Sequence, residues 1–119
     1  MIEIKDHKVL RELMFATFDA KLVALATWCI SKWPSFCITS GYRQGDPKVH
    51  GTIPCRGLDV SSKWASDPLG TAKEVNEAWQ YDPSRPEMEC CKYHKTPQGE
   101  WHFHLQVHPK TVYLDGITT

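Results

Sequence analysis

The side chains best suited to metal chemistry in this chain are His50, Asp59, His102 and His104. His50, Asp59 and His102 make a set of two imidazoles and one carboxylate. Catalytic zinc typically takes three such nitrogen and oxygen ligands and keeps one position for water. A metal held this way makes hydroxide available near neutral pH. Such a site also uses a carboxylate as general base and a cation to hold an anionic substrate end. Glu100 and Arg43 are the candidates for those two roles. In "EWHFHLQVH", Glu100, His102, His104 and His108 alternate with Trp101, Phe103, Leu105 and Val107. A strand sends alternate side chains to opposite faces, so this run predicts one apolar face and one imidazole-rich face.

The elements that must carry these residues can be read from periodicity. Asp6 is a plausible N-cap for a helix over residues 6–32, where Val9, Leu10, Leu13, Met14, Phe18, Leu22, Leu25 and Cys29 recur at spacings of three and four. The segment reads as one bent helix or two, and Pro34 ends it. "FCITS" is a strand, "GYRQGDPKVHGTIPC" a long Gly- and Pro-containing loop, and "RGLDVSS" a second short strand. Residues 67–81 read as a helix with Leu69, Ala72, Val75 and Trp79 on one face. "MECCKYH" and "EWHFHLQV" flank "KTPQG", which fits a hairpin turn. Cys90 and Cys91, as neighbours in a strand, are expected on opposite faces, one in the core and one at the surface. The pattern predicts a single α+β domain over residues 1–119, with a small, mainly antiparallel sheet and flanking helices.

Three strings in this order resemble the zinc D-alanyl-D-alanine carboxypeptidase and L-alanyl-D-glutamate endopeptidase family, whose members share a hedgehog-like fold. "TSGYR" matches the family's strand ending in S-G-Y-R, "HGTIPCRGLDV" its H-x-x-G-x-A-x-D string, and "EWHFH" its acidic residue before H-x-E or H-x-H. The resemblance spans residues 36–108. It implies zinc bound by His50, Asp59 and His102, with Glu100 as general base. It further implies that Arg43 recognises a substrate carboxylate or carbonyl, flanked by Tyr42 and Trp101, and that His104 orients a ligand. The implied activity is hydrolysis of the peptide stem of bacterial peptidoglycan, as in phage endolysins. Two departures stand out. Asp59 follows His50 by nine positions where the family has seven, so "TIPC" reads as an insertion. Gly99 occupies the usual base position three before the second histidine, and Glu100 stands only two before it.

Composition bounds the partners. Fourteen basic and fourteen acidic residues cancel, and the pI is about 7.0, which disfavours nucleic acid. No apolar run approaches the roughly 20 residues of a membrane span, so no stable membrane association is expected. "MIEIKDHKVL" lacks the pattern of a signal peptide. The expectation is therefore a monomer made in the cytoplasm that acts on the cell wall after release. The five cysteines, without any C-x-x-C pair, read as reduced thiols. Two rival readings accompany the peptidase. One is a catalytically inactive, metal-stabilised relative serving as a structural or virion component. The other is a thiol-rich zinc adaptor that binds through its cysteines, Cys55 and Cys90 among them, rather than through Asp59; a site of His50, Cys55 and His102 is a further alternative.

Overall fold

The computed structural model describes residues 3–114 except Ala16, and only the backbone of Phe15. The N-terminal helical segment is two helices. Strand β1 (Glu3–Ile4) leads into α1 (His7–Phe15), whose first turn is capped by the Asp6 carboxylate accepting from Val9 N at 3.0 Å. The second helix, α2 (Ala20–Lys32), has its own cap: Asp19 accepts from Lys21 N at 2.8 Å. Before α2, Phe18 bridges Cys55, Cys55 N donates to Thr17 O, and Asp19 N donates to Cys55 O. The "TIPC" insertion thus latches onto the break between the helices. Leu22, Leu25 and Cys29 form the buried stripe of α2.

Strands β2 (Cys37–Ser40) and β3 (Gly57–Ser61) follow the expected segments, separated by the long loop and a 3-10 turn at Val49–Gly51. Helix α3 (Pro68–Ala78) starts at the Asp67 cap with proline in its first turn. It stops earlier than expected, because Trp79–Gln80 leave as β4 and pair with β7 (Val112–Tyr113). Its buried face is Thr71, Ala72, Val75 and Ala78, whereas Leu69, placed on that face by spacing alone, is 71% exposed in the first turn. The hairpin of β5 (Cys91–Lys95) and β6 (Trp101–Gln106) lies where the alternation put it.

The fold is α+β. Its main sheet has the order β1-β2-β3-β6-β5, antiparallel except for the parallel β1–β2 pair. One face of β6 sends Phe103 and Leu105 into a core shared with Leu22, Leu25, Phe36, Val60 and Val75. Each of these two fully buried side chains is worth about 1.5–3 kcal/mol of hydrophobic burial. Cys90 and Cys91 are both buried, contrary to the half-exposed expectation. Cys91 joins the sheet, while Cys90 precedes it and lies against Thr111 from the C-terminal segment. Burial pushes both thiols up to about 12, so neither is a ready nucleophile or ligand.

Candidate metal centre

The other face of the sheet collects the polar residues. Register decides which of them meet: Asp59 on β3 pairs with His104 on β6, and Ser61 pairs with His102. Directly opposed residues share a face and sit close, so the carboxylate finds His104 first. His50 arrives from the 3-10 turn above β3. Gly57 lets that turn come down, since a Cβ there would lie 2.5 Å from Val49 Cγ2 and 3.1 Å from His50 N.

His50, Asp59 and His104 can hold a metal ion: one ligand atom from each lies within 4.8 Å of the others, and all three are buried or half-buried. His50 Nε2 is 3.2 Å from Asp59 Oδ1 and 3.3 Å from His104 Nδ1, and His104 Nδ1 is 2.9 Å from the same Oδ1. The outer contacts determine what those nitrogens carry. His50 Nδ1 lies 2.7 Å from Gly41 O, which can only accept, so Nδ1 bears the proton and a neutral ring turns its Nε2 lone pair inward. His104 Nε2 lies 3.1 Å from Gln106 Oε1, and Gln106 Nε2 donates to Glu89 O at 2.7 Å. That bond fixes the amide, so His104 donates through Nε2 and turns its Nδ1 lone pair inward. Two nitrogen lone pairs and a carboxylate oxygen therefore converge on one point. Uncompensated, the arrangement is repulsive; two imidazolium rings or one cation relieve it. A cation does so without an added proton, and imidazoles fixed by outer hydrogen bonds are the usual form of metal ligands.

The second sphere reaches further. Glu12 on α1 accepts from Gly41 N at 2.7 Å, holding the carbonyl that orients His50. Arg43 donates its backbone N–H to His50 O at 2.7 Å, and its Nη1 lies 3.8 Å from Asp59 Oδ2 with the side chain half exposed. Burial tends to raise the Asp59 pKa. Rings of His104 and His50 that carry an extra proton outweigh it and hold the carboxyl well below its usual range, which is the protonated alternative to a bound cation.

His102, the ligand expected from sequence, stands beside the triad, with Nε2 3.7 Å from Asp59 Oδ1. His104, expected to orient a ligand, stands with His50 and Asp59 in the cluster that could hold an ion. His102 and His104 share strand parity, so alternation cannot rank them, and the β3–β6 register decides. Burial lowers the His102 pKa, which keeps its ring neutral at physiological pH. Across the hairpin, His94 Nε2 is 2.8 Å from His102 Nε2. His94 had no partner in the sequence pattern, although its place in the opposite arm of the hairpin could have flagged it.

Glu100 remains at the hairpin end: Thr96 N donates to its carbonyl, its own N–H bonds Thr96 Oγ1, and its side chain is exposed. It is four residues from His104, about 13 Å along a strand, beyond the reach of a glutamate side chain. Gly99, at the family's base position, has φ +89° and turns the hairpin. Trp101 faces away from His102, half exposed and stacked on Tyr93 at 4.7 Å. Tyr42 is buried and borders a shallow hollow with Arg11, Glu12 and Gln44. Cys55 directs its thiol towards the carbonyls of Val49, His50 and Gly57, and burial raises its pKa. No helix among the described residues is long and apolar enough to cross a membrane. No family model, curated protein or solved structure matches the chain.

Proposed function

We propose that this protein is a zinc-dependent peptidase that hydrolyses the peptide stem of bacterial peptidoglycan, on a hedgehog-like scaffold. The observation that carries the metal half of this reading is the pair of outward-locked imidazoles, His50 and His104, turning lone pairs onto Asp59. The substrate class rests on the resemblance of "TSGYR", "HGTIPCRGLDV" and "EWHFH" to the cell-wall peptidase family.

In this reading His50, Asp59 and His104 hold the ion. When bound, zinc supplies Lewis acidity, easing the deprotonation of water and polarising a carbonyl. His102, neutral and adjacent to the triad, accepts the proton of the attacking water in place of Glu100. Arg43 keeps Asp59 Oδ2 oriented and presents its exposed end to a carboxylate or carbonyl of the stem peptide. The protein acts on the wall after release from the producing cell.

The remote position of Glu100 favours a second reading, a metal-stabilised relative without hydrolytic activity. Elemental analysis followed by a turbidity assay on exposed peptidoglycan separates the two. About one zinc per chain with chelator-sensitive cleavage supports the peptidase. Zinc without cleavage supports the structural relative, and a metal-free protein that gains no stability from added zinc overturns both.

A further inference from the structure

The chain just beyond β6 gathers a basic cluster that the metal centre does not use. Basic and acidic residues balance over the whole sequence, fourteen against fourteen, so a local surplus is a product of the fold. Arg56, just before β3, is tied to the end of β6 by Val107 N donating to its carbonyl at 3.0 Å. The turn that follows carries His108 and Lys110, and Lys21 of α2 donates its ammonium to Pro109 O within it. Arg85 lies over the Tyr81 ring, 5.6 Å from its centroid, and the Tyr81 and His108 rings are 5.5 Å apart. Two acids stand beside these cations and are already engaged: Asp82 by Ser84 and Arg85, and Asp19 by the cap of α2. Four cations against two carboxylates leave a positive surplus around His108.

The donors of this cluster are open. Lys110 N donates to His108 Nδ1 at 3.1 Å, so the neutral ring carries its hydrogen on Nε2. Burial and the charges of Arg85, Arg56 and Lys110 lower the His108 pKa and keep that ring neutral. Among the described residues nothing accepts from His108 Nε2, the Arg56 guanidinium or the Lys110 ammonium. The Arg85 side chain is half exposed and meets Asp82 through Nε. Donors from three segments of the chain, without acceptors of their own, suit an anion with several oxygens, and the guanidinium fork matches phosphate. We propose that Arg56, Arg85, His108 and Lys110 bind the phosphate groups of an anionic cell-surface polymer, a glycerol phosphate chain. The phosphate chemistry rests on the cluster alone, and the wall as its source rests on the peptidase reading. Balanced charge over the rest of the chain argues against nucleic acid. Successive phosphates of one chain engage the cations on either side of His108, which multiplies weak single contacts and holds the protein at the wall.

The test follows the histidine ring nitrogens of the zinc-loaded protein by NMR at constant ionic strength. Four probes are titrated: poly(glycerol phosphate), inorganic phosphate, acetate and a DNA duplex. The polymer should shift the His108 Nε2 resonance saturably, at a phosphate concentration about 10-fold below that needed with inorganic phosphate. Acetate should give no saturable shift. Arg56→Ala and Lys110→Ala should each weaken polymer binding about 5-fold, and the double variant about 25-fold. Arg56→Lys should recover only part of the loss, because an ammonium lacks the fork. All variants should melt with the wild type and cleave polymer-free peptidoglycan at its rate. No saturation, an equal response to acetate, unchanged binding by the double variant, or DNA bound as tightly per phosphate would each overturn the proposal and leave the peptidase reading intact. Polymer binding by a wild type that cleaves no peptidoglycan would overturn the peptidase reading and support this site.

Discussion

Two buried aspartates in this molecule solve the same desolvation problem in opposite ways. Asp82 is satisfied by its own turn: Oδ1 accepts from Ser84 N at 3.0 Å and Ser84 Oγ at 2.8 Å, and Oδ2 accepts from Arg85 Nε at 3.0 Å. Every one of those partners is a donor at neutral pH. Asp59 has partners from three distant segments, through Arg43, His50 and His104, and the two imidazoles reach it with nitrogens whose protons are committed elsewhere. A buried carboxylate closed locally by donors is part of the scaffold. One ringed by lone pairs from far along the chain is completed only by a cation or by extra protons.

Exchange of each aspartate for asparagine breaks this comparison or sharpens it. Asp59→Asn should lower zinc affinity by more than about 100-fold, the upper range for losing even a residue behind a ligand. The same change should leave the metal-free protein at least as stable, because the new amide can donate to a histidine lone pair. Asp82→Asn should do the reverse, binding zinc normally and melting earlier. Zinc titration and thermal melts of both apo variants decide the matter, and a destabilised apo Asp59→Asn would refute the lone-pair argument. The next largest effect concerns the support of His104. Gln106→Ala should cost about 10- to 100-fold in zinc affinity. Gln106→Glu, which still accepts from His104 Nε2, should recover most of it. Third, Gly99→Ala should destabilise the hairpin by about 1–2 kcal/mol through its left-handed φ, with zinc binding unchanged. A change in affinity there would mean that the turn helps build the site.

The same contrast explains what was legible in the sequence. Local devices were: the Asp6 cap, the alternation of β6, the hairpin around "KTPQG", and the grouping of His50 and Asp59 with the histidine strand. What escaped depends on long-range pairing. That His104, and not His102, lies directly opposite Asp59 follows from β3 lying against β6 in one register and not another two residues away. Glu12 looked like a polar residue on an amphipathic helix, yet it reaches Gly41 and through it His50. The break between α1 and α2 is set by the insertion before β3, whose Cys55 captures Thr17 and Asp19. Leu69 kept the helical spacing but fell in the first turn, clear of the core.

The smallest predicted effect is also the cleanest check that Asp82 is scaffold. The backbone N–H of Ser84, its hydroxyl and the Arg85 guanidinium hold the Asp82 carboxyl down at about 2. An unfolded aspartate titrates near 3.9. Its folded value is depressed, so the stability it contributes is fully present above about pH 4. That contribution is lost as pH falls through the folded value, because protonation then removes the acceptor that Ser84 and Arg85 share. Apo wild-type protein should therefore lose stability between about pH 4 and pH 2 more steeply than Asp82→Asn, and the two curves should run parallel above pH 5. Denaturant melts across that range measure it. A wild-type and variant difference that stays constant down to pH 2 would mean that the turn holds Asp82 by its shape rather than by its charge, which would remove the electrostatic half of the contrast with Asp59.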